Sequence, residues 1–331
     1  MLNHILLKQY IHEKSNDLIA VRMFLAFGLS IFIITPALFL KAHGFSDSFI
    51  GFIMGGTALI SLLISIISTV ILERIDEYKI FLLSIFIPLV FLSTLVFYPS
   101  VSIFILFLIV SAISLTIREN SFSIIFKDIT KKSIFTQKEG LLYCFLNIGW
   151  FIGPFLGGLM LENFGFVETF GLATIFYLIA LVISLIIKIK LKKKDRKIID
   201  SNILKNIKFF IKDRGLINSY FLGFSSSVWY VLIFTFMPLF LVGAGLSVIW
   251  VGIFIATAQL PLIIIQFKLD WFIKKIGMKK IMTYSFFYLM LVSFILFFYS
   301  EIYFAMAILV TTAIAMAFIE PIREIYFFKN V

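Results

Sequence analysis

Apolar positions fall along the chain in ten long runs separated by short polar breaks, near residues 18–40, 48–72, 79–98, 100–126, 140–161, 166–190, 215–241, 247–269, 280–299 and 301–322. At about 1.5 Å of rise per residue, each run is long enough to cross a hydrocarbon layer of about 30 Å as a helix. Period-two alternation is absent, so a membrane barrel is not supported. The pattern predicts an all-α membrane protein with ten transmembrane helices. Polar residues before the runs read as helix starts, as with Ser15, Asn16 and Asp17 ahead of the first, which is expected to end near Pro36.

Composition agrees. Of 331 residues 61% are hydrophobic, 18% aromatic and only 14% charged, more apolar surface than a soluble core of this size could bury. The single Cys144 lies inside the fifth run, excludes an internal disulfide and reads as a small packing residue. Residues Met1 to Asp17 are polar and mixed in charge, so no cleavable signal is expected there.

The net charge of +11 raises the question of nucleic acid, and its placement answers it. Basic residues gather in alternate loops: Lys127, Lys131, Lys132 and Lys138; then Lys188 through Arg214; then Lys274, Lys275, Lys279 and Lys280. The other loops hold Lys41 beside Asp47, Glu162, Glu168 and Glu301. The positive-inside rule makes the first set cytoplasmic, and the N-terminus with it. The stretch from Lys188 to Arg214 carries eleven basic and three acidic residues, with Ile203, Leu204, Ile207, Phe210 and Ile211 on one helical face. A surface helix on the headgroups is expected, and no nucleic-acid partner.

The fifth run holds the most distinctive spacing. From Gly140 to Gly158 it reads GLLYCFLNIGWFIGPFLGG: Gly140, eight residues, Gly149, three residues, Gly153-Pro154, two residues, Gly157-Gly158. Glycines four apart make a bare stripe that lets a neighbouring helix come to backbone contact. Pro154 removes a backbone donor and predicts a bend unless neighbours compensate. The second run carries another small face, Gly51, Gly55, Ala58, Ser61, Ser65 and Ser68.

The chain also repeats. Shifting by 201 residues pairs Leu38-Phe39-Leu40 with Leu239-Phe240-Leu241, Gly44 with Gly245, Ser46 with Ser247, Gly51 with Gly252, and Glu73-Arg74-Ile75 with Lys274-Lys275-Ile276. Six runs separate the copies, so both halves share one orientation. The organisation expected is a six-helix bundle over 1–187, a basic linker over 188–214 and a second bundle over 215–331 with four helices. Ile125-Phe126-Lys127 matches the last residues, Phe327-Phe328-Lys329, so the second copy is expected to lack its last two helices.

These features together resemble the major facilitator superfamily, and the fifth-run pattern resembles the signature of its drug:proton antiporters. The loop Lys274-Lys275-Ile276-Gly277-Met278-Lys279-Lys280 is similar to the superfamily's basic motif between second and third helices, with Lys275, Gly277 and Lys279 at its centre. The first copy keeps Glu73 and Arg74 but has Asp76 where glycine is usual and Thr69 for the opening glycine. The resemblance implies a major facilitator fold of two like-oriented bundles, alternating access about a site lined by helices one, four, seven and ten, and packing of the fifth helix against the eighth. It implies an antiporter working in efflux, monomeric, with a small-molecule substrate, the lipid bilayer and protons as partners.

Charges within the runs supply the candidate chemistry. Arg118-Glu119-Asn120 stands in the fourth, and Glu320-Pro321-Ile322-Arg323-Glu324 at matching depth in the tenth. Each charge costs roughly 2.5–3.5 kcal/mol in lipid, so these should face protein or water. Neighbours on a helix point about 100° apart, so Arg118 and Glu119 should find partners elsewhere. Glu320 and Arg323 can pair, while Glu320 and Glu324 repel. Glu119 and Glu320 are the proton-carrying candidates, with Arg118 and Arg323 as charge partners or anion contacts. Arg22, about a turn and a half into the first run, reads as an interfacial side chain snorkelling to the headgroups. Ser225, Ser226, Ser227, Trp229 and Tyr230 of the seventh read as packing or cavity residues, and Trp250 and Trp271 as anchors at the two ends of the eighth.

A facilitator or symporter of a metabolite such as a sugar or organic anion is the rival within the superfamily; Arg118 and Arg323 would favour the anion. A polytopic enzyme is unsupported. His4, His12 and His43 lie in tail and loop positions with no metal spacing, and neither a P-loop nor GxSxG occurs, so no cofactor or metal is expected.

Overall fold

A computed structural model describes residues 14–189, 211–266, 268–299 and 301–330. The expected linker helix through Ile203, Leu204, Ile207 and Phe210 lies outside these residues, as do His4 and His12. Among the described residues no strand occurs, and ten helices are long and apolar enough to cross a membrane. They cover Lys14–Ala42, Asp47–Leu72, Glu77–Phe97, Val101–Ile129, Lys138–Asn163, Phe166–Ile187, Arg214–Gly243, Val248–Gln266, Met278–Phe298 and Ile302–Arg323, and are called here the first to tenth spans. The chain divides into two compact units, Met1–Ser201 and Asn202–Val331.

Local chemistry sets the helix ends. Ser46, Ser100, Asp76 and Asp213 accept from the backbone N–H of Phe49, Ile103, Lys79 and Leu216, each three residues on, and so satisfy donors that the helix leaves orphaned. Asp76, placed where the superfamily loop has glycine, takes negative φ and serves as a cap, whereas Gly277 takes a φ of 89°. The two copies of this loop therefore turn by different means.

The first span continues past Pro36 and runs to Ala42, beyond its expected end. Its helix breaks after Phe32 and resumes at Thr35. Proline cannot donate to the carbonyl four residues earlier, and that carbonyl, of Phe32, accepts instead from the Thr35 hydroxyl at 2.7 Å. Pro238 acts similarly in the seventh span, where a π turn over Leu232–Phe236 precedes the helix Met237–Gly243. Both spans end alike: Gly44 and Gly245 each take a φ of 86°, and the next N–H, of Phe45 or Leu246, returns to Leu40 or Leu241. This left-handed terminus suits glycine, which has no Cβ to strain there. The eighth helix stops at Gln266, so Trp271 belongs to a separate helix, Leu269–Ile276, instead of marking the span's end.

Packing repeats within each unit. In the first, the second and third spans lie on the fourth, and the first span packs mainly on the fifth and sixth. In the other, the seventh, eighth and ninth all lie on the tenth. Phe32, Phe39, Phe104, Phe107 and Phe170 form one aromatic core in the first unit, with Phe39 and Phe104 stacked at 4.2 Å. Phe272 meets Phe318 edge-on at 5.0 Å in the second.

Three expectations about packing change. Gly55 has nothing within 4 Å of where its Cβ would lie, and of the small residues on the second span only Ser68 is buried. Cys144 is exposed and not a packing residue. Lys138, expected in a basic loop, is fully buried, and its ammonium donates to Asn16 Oδ1 at 2.5 Å.

Candidate functional site

The fourth span presents Ser114, Arg118, Ser121, Phe122 and Ile125 on its buried face, a spacing of three and four residues. Arg118 is thereby carried inward and is 2% exposed. Glu119, one step round the helix, points to the first span. There Arg22 sits on the face that buries Leu18, Leu25 and Ala26, and it meets Glu119 fork to fork: Nη1 to Oε1 at 2.5 Å and Nη2 to Oε2 at 2.7 Å. Phe122, three residues on from Glu119, places its ring 4.8 Å from the Arg22 guanidinium carbon.

Arg22 is thus not a headgroup side chain: it is 9% exposed and neutralised by a carboxylate. A bidentate pair held over an aromatic face offsets much of the cost of taking the charge out of water. The partner of Glu119 is Arg22 and not Arg118.

Arg118 faces the sixth span. Its Nη1 donates to the Tyr177 hydroxyl at 3.4 Å, and its guanidinium carbon lies 5.5 Å from the centre of that ring. Tyr177 reaches this position across Gly28; a Cβ there would stand 2.7 Å from Tyr177 Cδ2. Asn120, next on the fourth span, donates to Ser68 Oγ at 2.7 Å and ties the second span in place. Three successive side chains of the fourth span therefore hold three different helices.

The glycine stripe completes this arrangement. Cβ atoms on Gly149, Gly153 and Gly157 would lie 3.0 Å from Ala26 Cβ, 1.8 Å from Ser30 Oγ and 2.4 Å from the Ile31 carbonyl oxygen. Ser30 in turn donates to the Gly149 carbonyl at 2.9 Å. The stripe is filled by the first span of its own unit. Pro154 lies within a continuous helix, Phe135–Asn163; Gly158 is buried and Gly140 faces open space.

Close approach of these spans opens a cavity of 270 Å³ lined by Arg22, Leu25, Ala26, Leu29, Leu115, Arg118, Glu119, Leu146 and Trp150. One carboxylate and two guanidinium groups share an otherwise apolar wall. Arg22 and Trp150 were not among the candidates read from sequence.

The second unit holds its own polar cluster. Tyr230 donates to Glu320 Oε1 at 2.6 Å, and Trp229 Nε1 to Thr312 Oγ1 at 2.7 Å, both linking the seventh span to the tenth. Arg323 lies by Gly223, where an added Cβ would be 3.4 Å from its Nη1. Glu324 is on the same helix. In each unit, then, the acid on the last helix of the copy is latched to the first. Of the loop residues, Arg74 and Lys279 are exposed, Lys275 holds its ammonium 4.7 Å over the Trp271 ring, and Glu73 precedes Arg74, the last residue of the helix Asp47–Arg74.

No curated protein matches the chain. Among solved structures, a mutant of the nucleoside transporter NupG is similar with a TM-score of 0.78 at 14% identity, over 96% of this chain and 83% of that one. A D-xylose-proton symporter is similar at 0.65 and 13%, over 92% and 80%. A bacterial homologue of the iron transporter ferroportin in an inward-facing state gives 0.66 and 11%, over 96% and 84%. At such identities the likeness establishes the fold, and together with the family model it points to a transporter of small molecules in a membrane, not an enzyme. The model of the Major Facilitator Superfamily matches residues 18–325, nearly the whole chain, and the protein belongs to that family.

Proposed function

We propose that this protein is a proton-coupled secondary transporter working by alternating access, with Glu119 as the proton-carrying group and Arg22 as its partner. The observation that carries this reading is the bidentate Arg22–Glu119 pair on the wall of a cavity, joining two spans that must shift if the cavity is to change its opening. Ionised, Glu119 holds the first span to the fourth; protonated, it releases Arg22. Proton binding is then linked to a packing change between helices. Glu320, bonded to Tyr230, is the corresponding acid of the second unit.

The fifth-span signature supports proton-driven export, as in the drug:proton antiporters it resembles. Two arginines set against one carboxylate in the cavity favour a second reading, symport of a metabolite anion. The alternation of basic loops supports a cytoplasmic N-terminus in the cell membrane, and the protein acts as a monomer in this reading.

Cells expressing the full chain, loaded in turn with cationic dyes, sugars and aromatic carboxylates, test the proposal. Net movement of at least one class should collapse when a protonophore removes the proton gradient, and should lose its pH dependence in Glu119→Gln. Transport indifferent to both treatments would overturn it.

A further inference from the structure

We propose that the cavity between the first, fourth and fifth spans binds a small organic monoanion, a carboxylate on an apolar body, with Arg118 as its main receptor. The inference rests on the transporter reading and names the substrate class of that site.

Arg118 carries the assignment. A guanidinium has five N–H donors and no acceptor. At 2% exposure, Arg118 uses one of them in a 3.4 Å bond to a neutral hydroxyl, its Nε has no hydrogen-bond partner, and no carboxylate lies within ion-pair reach among the described residues. A cation so placed leaves an unmet electrostatic demand, because one long bond to a neutral hydroxyl and a ring face repay little of its desolvation. Arg22 on the same wall also has a buried Nε without a partner. With Glu119 counted, the lining carries a net charge of one positive unit, so a single negative charge neutralises it. Leu25, Leu29, Leu115, Leu146 and Trp150 supply an apolar remainder, and 270 Å³ sits just under the volume of about 300 Å³ at which small-ligand pockets begin. A planar fork of donors matches the two oxygens of a carboxylate.

Arg22 and Arg118 share the cavity wall with Glu119 from the first and fourth spans, Tyr177 of the sixth touches Arg118, and the fifth contributes Leu146 and Trp150 to the wall. Protonating Glu119 therefore removes the one negative charge that competes with the ligand and frees Arg22 to join Arg118. Anion and proton bind together, so affinity rises as pH falls.

Titration of the purified full chain in detergent with benzoate, benzamide and benzylamine tests this, since the three share a ring and differ in charge. Benzoate should bind more tightly than the other two, should weaken roughly thirtyfold or more in Arg118→Gln, and should bind Glu119→Gln without dependence on pH. Binding of benzylamine or benzamide equal to that of benzoate, benzoate binding unchanged in Arg118→Gln, or no binding of benzoate would overturn the site. Failure of this binding while a proton gradient still drives transport through Glu119 would remove the anion site alone; loss of the gradient dependence with binding intact would remove the coupling reading alone.

Discussion

Arg22 and Glu119 are 97 residues apart, and their pairing joins the start of the chain to its fourth span. With side-chain exposures of 11% and 44%, the pair lies between a surface bridge, worth about 0–1 kcal/mol, and a fully buried one, where losing a partner costs about 3–5 kcal/mol. A double-mutant cycle with Arg22→Gln and Glu119→Gln, read by thermal unfolding in detergent, should give a coupling of about 1–3 kcal/mol. Additive effects would place the side chains apart. Gly28 provides a second check: Gly28→Ala pushes against the Tyr177 ring and should cost about 1–3 kcal/mol and weaken the hold on Arg118, whereas Gly171→Ala on the sixth span, with open space at its Cβ, should not. Charge at depth marked Arg118 and Glu119 in the sequence, because such residues are expensive in lipid. Their partners were not marked, since a one-dimensional pattern ranks no contacts across 50 or 100 residues. Arg22 did leave a signal: it shares a helical face with Leu18, Leu25 and Ala26, which a snorkelling side chain would not do.

At the level of helices, the spacing Gly149, Gly153, Gly157 announced a close approach, and the first span makes it. Spacing describes one surface and not the neighbour that covers it, so the partner helix came only with the structure. The second span shows the converse, a run of small residues that leaves Gly55 and Gly56 open. Gly157→Ala should be the most damaging of the fifth-span glycine substitutions, because its Cβ meets the backbone oxygen of Ile31 at 2.4 Å and backbone cannot rotate away. A loss of about 1–3 kcal/mol is expected there, against less than about 1 kcal/mol for Gly140→Ala, which meets nothing. Equal effects in a thermal unfolding series would show that the stripe is not a contact. Pro36 and Pro238 each stand at an interruption of the α-helix, where the freed Phe32 carbonyl is taken up by Thr35 in the first case, whereas Pro88, Pro154, Pro261 and Pro321 lie inside helices.

Across the whole molecule the most legible features were those that depend on long averages: ten spans, an internal repeat and the alternation of charge between loops. Hydropathy sums over some twenty residues tolerate local exceptions, which is why span limits agree to within a few residues while single side chains moved between exposed and buried. The proposed orientation rests on the alternation of basic loops. In a Cys144→Ser background, a cysteine placed at Lys131 should react with an impermeant thiol reagent only from the cytoplasmic side, and one placed at Glu301 only from outside. Reversed labelling would invert the proposed topology. Between these scales lies the coupling itself, which needs one carboxylate to report on both the proton and the helix packing. Proton flux into proteoliposomes containing the full chain, followed with a trapped pH-sensitive dye as an aromatic carboxylate is supplied, examines that link directly. Substrate-dependent proton movement in the wild type and its loss in Glu119→Gln, with benzoate binding retained, is the predicted result. Equal proton movement in both proteins would contradict the account.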